Sequence, residues 1–282
     1  MSAELLPEPL LLPGANGILK DVTHAQGIDM KSASRHILDT PIWSALTTRH
    51  GHLQQGGAFA RRYHPEIAPF AAVVSDTATA WHELHGLLQP GEQARLMTLN
   101  PVEPVQGLQA DQVGMLHQMV AASRAPDSTD GTHDPAVLRL SHLDAQDMLD
   151  LATMTKPGPF ARRTHETGNY IGIRERGQLI AMAGERMHID GYVEISAVCV
   201  HDEHRGKGFG GRLVNILRRE IEARGDTAFL HVRSDNQAAI GLYERLGFEL
   251  RQAFHLIRIR LNSSEFQARG AEVRDSVAPR VV

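Results

Sequence analysis

The chain has 282 residues, of which 42% are hydrophobic and 22% charged, and a formal net charge of -4 at neutral pH. That composition is ordinary for a folded protein with a sizeable core, and its slight negative charge excludes a general attraction to nucleic acid. The single cysteine, Cys199, excludes an internal disulfide and fits a reducing compartment, so the expected location is cytoplasmic.

The leucine-rich stretch ELLPEPLLLPGANGILK carries acidic residues and prolines and lacks a basic region ahead of an unbroken apolar run, which makes it a poor signal peptide. No stretch approaches the ~18 apolar residues of a membrane helix. Between Ile42 and Val120, PFAAVV and ARLMTL read as strands with a helix through AWHELHGLL between them, and VGMLHQMVA reads as a further strand. SRAPDSTDGTHDP has the composition of a linker. The boundary placed there gives an N-terminal α/β domain over 1–130, a second domain over 136–261 and a mobile tail over 262–282. The second domain opens with a strand, AVLRL, and a helix through DAQDMLDLATM that Ser141 or Asp144 could cap. NYIGIRERGQLIAMAGERM follows as a hairpin turning near Glu175 to Gly177. YVEISAVCV, AFLHV and FHLIRIRL read as strands and NQAAIGLYERLGF as a helix ending at Gly247.

The most informative stretch is HDEHRGKGFGGRLVNIL. It lies between the strand Tyr192 to Val200 and a helix whose apolar face is Phe209, Leu213, Ile216, Leu217 and Ile221. A helix start offers unpaired N–H groups and partial positive charge. Glycine lets a ligand approach the backbone, and Arg205, Lys207 and Arg212 add charge, so a phosphate or pyrophosphate is the expected guest. Gly206, Gly208 and Gly211 also satisfy the dinucleotide pattern G-x-G-x-x-G. The charged HDEHR intervenes, however, and His231 stands where an acidic residue is needed. A Walker A loop is excluded because no Gly-Lys-Ser/Thr ends the run.

Arg205-Gly206-Lys207-Gly208-Phe209-Gly210 matches Arg/Gln-x-x-Gly-x-Gly/Ala. Asn236 to Ile240 with Leu242 to Phe248 match Asn-x-x-Ala-x-x-Leu-Tyr-x-x-x-Gly-Phe. On these two motifs the stretch from Ala136 to Leu261 resembles the GCN5-related N-acetyltransferases (GNAT), of the FR47-like kind. The resemblance implies an α/β (α+β) fold with a mixed, mostly antiparallel central sheet flanked by helices. By analogy with tandem members, it also implies that the N-terminal domain is a degenerate copy of that fold. The expected activity is transfer of acetyl from acetyl-CoA to a primary amine by direct attack. A non-catalytic coenzyme A-binding sensor and a dinucleotide-dependent oxidoreductase are the alternatives.

The same resemblance implies site roles. Val198 and Val200, with Cys199 between them, would pair the pantetheine arm through the strand backbone. Residues Arg205, Gly206, Lys207, Gly208, Phe209, Gly210 and Gly211 would form the pyrophosphate loop, and Asn236 would touch the cofactor while capping its helix. Tyr243 would protonate the departing thiolate as general acid. Glu194 would be the general base. An acid in an apolar strand is costly to bury unless it is paired or functional, period two puts it on the face of Val198 and Val200, and burial would raise its pKa toward neutrality. Cys199 alternates to the opposite face, against an acyl-cysteine. His201 and His204 read as solvated loop residues, and Arg162, Arg163 and His165 as acceptor-side candidates. No metal is implied, since His82 and His85 are spaced i, i+3 and the zinc helix needs i, i+4. The expected partners are acetyl-CoA and an amine acceptor, with no nucleic acid and no membrane; homodimerisation is left open.

Overall fold

The computed structural model describes residues 36–103, 105–122 and 136–262. In chain order the elements begin with α1 (Pro41–Thr47), β1 (Gln54–Gly56), β2 (Ala60–Tyr63), β3 (Ala71–Val73), α2 (Ala78–Leu87), β4 (Ala94–Thr98) and β5 (Leu108–Ala121). There follow β6 (Leu138–Leu140), α3 (Ala145–Thr155), β7 (Tyr170–Glu175), β8 (Gln178–Ile189), β9 (Tyr192–Val200), α4 (Phe209–Ala223), β10 (Thr227–Arg233), α5 (Gln237–Arg245) and β11 (Phe248–Leu261). No helix among them is long and apolar enough to cross a membrane.

Local chemistry explains most element ends. The hairpin between β7 and β8 turns on Arg176 and Gly177, both at positive φ (51° and 85°), which suits a two-residue turn matched to strand twist. The Ser141 hydroxyl accepts from Leu143 N and Asp144 accepts from Ser141 N, a reciprocal cap on the turn that feeds α3. The Asn236 side chain accepts from Ala239 N at 3.1 Å and so starts α5.

The strands form a three-stranded sheet, β1-β2-β3, and an eight-stranded sheet in the order β4-β11-β5-β10-β9-β8-β7-β6. Within the larger sheet only β9 and β10 run parallel, so it is mixed and mostly antiparallel as expected. β5 lies between β10 and β11. It pairs with β11 from Phe248↔Ala121 to Leu261↔Leu108, and with β10 from Phe229↔Val120 to Arg233↔Leu116. The first half of the chain therefore supplies an inner strand to the sheet of the second. The segment expected to be a linker and the tail beyond Asn262 lie outside the described residues.

The core forms on both faces of this sheet. On one, α4 buries Leu213, Val214, Ile216, Leu217 and Ile221 against Val193, Ile195, Met119 and Phe248; each such side chain is worth about 1.5–3 kcal/mol on burial. On the other, Leu38, Ile42, Leu46 and Phe70 pack on Phe229, Phe254 and Leu256. Polar ties join the halves as well. Buried Arg218 donates to Ala122 O (2.8 Å), Leu246 O (2.6 Å) and Glu222, and Arg49 grips Asp226 through two bonds of 2.7 and 2.9 Å.

Candidate active site

β9 and β10 pair only from Thr227↔Tyr192 to Phe229↔Glu194. Beyond Glu194 they part, and the cause is local: Ala197 sits at φ 52°, and the β8 register slips between Gly184↔Ser196 and Met182↔Cys199. This bulge bends β9 away from its neighbour and leaves the backbone of its last residues without a β10 partner. A cavity of about 670 Å³ opens in the gap, with Val198, Cys199 and Val200 on one wall and His231, Val232 and Arg233 on the other.

The bulge also overturns the period-two argument. Val193 and Ile195 pack towards α4 ahead of Ala197, and Val198 and Val200 do so after it, while Ala197 and Cys199 turn to the α3 side. Glu194 therefore lies on the face opposite Val198 and Val200. Burial pushes the Cys199 thiol up to about 11, which keeps it protonated and unsuited to carry an acyl group.

After β9 the chain turns into α4 through Gly206 and Gly208, at φ 77° and 81°. A side chain in that region costs roughly 1–2 kcal/mol. An added Cβ at either glycine meets nothing within 4 Å, so the space beside the turn is open. Gly208 offers no side-chain cap to α4, and the helix's first N–H groups are left for a ligand. Arg205 stands beside them, paired to Asp202 at 2.8 Å, and Lys207 Nζ is 3.3 Å from His204 Nδ1. Gly210 keeps α4 close to β9, where an added Cβ would lie 3.7 and 3.8 Å from the Val198 and Val200 side chains.

Of the residues expected at the cofactor, Val198, Cys199, Val200, Arg205, Gly206, Gly210 and Asn236 line the cavity. Phe209 packs on the core, and Gly211 sits where an added Cβ would be 3.4 Å from Leu242 Cδ1, so its smallness serves the approach of α4 to α5. Arg163 is held by Glu166 at 2.7 Å, and none of Arg162, Arg163 and His165 is among the residues that line the cavity.

Tyr243 lines the cavity from α5, its ring edge-on to Phe248 with centroids 6.2 Å apart, and burial raises its phenol to about 12. Glu194 departs furthest from expectation. Its side chain is fully buried and takes two bonds from Arg186 (Nε 2.8 Å and NH2 2.5 Å) and one from His231 Nδ1 (2.7 Å). Burial alone would raise the carboxyl, but Arg186 and then His231 outweigh it and hold it at about 2, the reverse of the shift a general base needs. Behind the pair, Arg251 donates to Gln118 Oε1 at 2.8 Å, which turns the Gln118 amide nitrogen towards Leu38 O (3.0 Å) and His231 Nε2 (3.2 Å). An Arg only donates, so this chain leaves His231 Nε2 as acceptor and Nδ1 as the protonated nitrogen.

Arg186, His231, Gln118 and Arg95 were not expected at the site. The available signal was a polar residue or two in an otherwise apolar strand, His231 in AFLHV and Glu185 with Arg186 in AGERM, but only register shows which of these meet.

A family model described as FR47-like protein matches residues 170–257. The N-alpha-acetyltransferase RimI of Mycobacterium tuberculosis is 33% identical over 133 residues, which is 44% of this chain and 77% of that protein. The uncharacterized N-acetyltransferase YobR of Bacillus subtilis is 41% identical over 61 residues, 21% of this chain; the match spans only 25% of YobR. A crystal structure of a GNAT-family putative acetyltransferase from Novosphingobium aromaticivorans superposes with a TM-score of 0.75 at 35% identity, covering 81% of this chain and all of that one (100%). With the two motifs, a bulged and splayed strand pair beside them, and RimI and the Novosphingobium protein matched over 77% and 100% of their lengths, the chain belongs to the GCN5-related N-acetyltransferase family.

Proposed function

We propose that the protein transfers an acyl group, acetyl in the simplest case, from acyl-coenzyme A to a primary amine by direct attack. The observation that carries this reading is the gap between β9 and β10 with a glycine-rich helix start at its mouth. Coenzyme A, when bound, supplies the acyl group as a thioester. Gly206, Gly208, the first turn of α4 and Arg205 would hold its pyrophosphate. The backbone of Val198 and Val200 would take its amide arm, with strand N–H near Val198 facing the thioester oxygen. In the transfer an N–C bond forms as the C–S bond breaks, the nitrogen gives up a proton to solvent, and the sulfur leaves as thiolate. Tyr243, which lines the same cavity, would donate to that sulfur. With a phenol at about 12, full transfer to a thiolate of ~8.5 is uphill by about 5 kcal/mol, so Tyr243 stabilises the sulfur as a hydrogen-bond donor and solvent completes the protonation. Tyr243→Phe, which keeps the packing face, is expected to lower turnover ~10²-fold at unchanged melting temperature. Turnover within twofold of the parent in a thiol-release assay would return Tyr243 to packing alone.

No carboxylate lines the cavity among the described residues, and Glu194 is committed to Arg186 and His231. We assign Glu194 the positioning of those two groups in place of proton removal. The amine then reacts as its neutral fraction. Below the acceptor's own pKa, kcat/KM is expected to rise about tenfold per pH unit, with no step contributed by Glu194. A step between pH 5 and 7 that vanishes in Glu194→Gln would restore its role as base.

The cofactor site has its own test. Gly208→Asp tolerates the left-handed backbone better than most side chains but sets a negative charge at the helix start. Calorimetry is expected to show coenzyme A affinity at least tenfold weaker in the folded variant, and an unchanged affinity would remove the pyrophosphate from this turn.

A further inference from the structure

The cavity continues from the β9–β10 gap across the sheet to Phe70, Arg95, Met97, Leu116 and Leu256, at the end formed by the first half of the chain. Its charged wall is one-sided: Arg95, Lys156, Arg186, Arg205 and Arg233 line it, and no aspartate or glutamate does. Three of these cations are answered by carboxylates nearby, Arg186 by Glu194, Arg205 by Asp202 and Arg233 by Asp235 at 2.7 Å. Arg95 is not. It stands half-buried on β4 with no ion-pair partner among the described residues, and directly across the ladder from it is another arginine, Arg258, whose guanidinium is taken by Asp111 at 2.9 Å. Burial and then repulsion from Arg258 and Arg233 lower the Arg95 pKa, the mark of a cation whose surroundings do not compensate it. Leaving a charge half out of water without a counter-ion is costly, and an anionic ligand would remove the cost. The pyrophosphate turn is a poor source for that anion. The Arg95 backbone lies three strands beyond β10, about 14 Å by ordinary strand spacing, with its charge close enough to feel Arg233, whereas Gly206 and Gly208 follow β9 on the other side of the gap.

We propose that the acceptor is a primary amine that also bears an oxyanion, carboxylate or phosphate, and that Arg95 binds this group while the amine reaches into the β9–β10 gap. The planar guanidinium fork suits either oxyanion. This inference rests on the transfer activity proposed above, and the experiment separates the two. Coenzyme A binding is measured first by calorimetry; its absence would sink the transferase reading itself. In the coenzyme A complex, 4-aminobutyrate is then compared with 4-aminobutyramide, and phosphoethanolamine with ethanolamine, both by calorimetric binding and by thiol release from acetyl-CoA. The anionic member of at least one pair is expected to bind and react at least tenfold better, and which pair does so identifies carboxylate or phosphate. In Arg95→Gln the anionic-over-neutral ratio is expected to fall about 10- to 100-fold, the usual worth of a charge-assisted bond, with Arg95→Lys recovering part of it. Coenzyme A binding with no anion preference in either pair, or a preference that Arg95→Gln leaves intact, overturns the inference while the transferase reading stands.

Discussion

A chain beginning at Thr132, which carries both cofactor motifs, is expected not to fold. Loss of β5 would strip β11 of this pairing over the whole span Phe248 to Leu261 and leave β10 without a neighbour beyond Phe229, where its pairing with β9 ends. The same cut removes the Ala122 carbonyl that receives the buried Arg218 guanidinium. It also uncovers Phe229, Phe254 and Leu256, which Leu38, Ile42, Leu46 and Phe70 shield in the whole chain. Two unpaired inner strands beside an exposed apolar face are a template for aggregation. The fragment is expected to be insoluble, or to lack near-ultraviolet circular dichroism and a cooperative urea transition. A fragment that unfolds cooperatively and binds coenzyme A like the full chain would show that the second half is an independent domain.

The parts of the site that were legible in the sequence are those whose cause is local. The backbone angles at Gly206 and Gly208 favour glycine, Asn236 caps the helix it precedes, and both motifs hold their ligand-facing groups within one turn or loop. The parts that were not legible depend on distant strands. Ala197 carries no mark of the bulge it makes, since alanine is not a residue that prefers positive φ. Without that bulge, alternation assigns Glu194 to the wrong face. Its partners Arg186 and His231 come from neighbouring strands, and only pairing register shows that the Arg186 charge and the His231 hydrogen bond together outweigh the effect of burial. β5 was legible as a strand, but its place between β10 and β11 follows from long-range pairing that no spacing in the chain encodes. α1, β1 and β2 are too short to generate a pattern.

Replacing Glu194 by Gln is expected to cost roughly 3 kcal/mol of stability at neutral pH, because an isosteric amide leaves Arg186 buried without its counter-charge. The same pair sets a pH dependence. The Glu194 carboxyl is held at about 2 in the fold, against an ordinary value near 4.5, and each unit of that depression corresponds to about 1.4 kcal/mol. A depressed carboxyl binds its proton more weakly in the folded than in the unfolded state. Its contribution is therefore complete above about 4.5 and disappears as the pH falls towards 2. Glu185 acts in the same direction: although burial opposes ionisation, His188 and Arg224 hold it too at about 2, so the parent protein is expected to be markedly acid-labile in that window. Glu194→Gln removes one of the two contributions. Urea unfolding at pH 7, 5 and 3 is then expected to show the variant well below the parent at pH 7 and the gap narrowed to roughly half or less at pH 3. Adding Arg186→Met should recover part of the loss at pH 7, since an apolar side chain of similar length leaves no charge to compensate. Equal stability at pH 7, or a gap that stays constant down to pH 3, would mean that the Glu194–Arg186–His231 cluster does not hold the splayed strands together through charge.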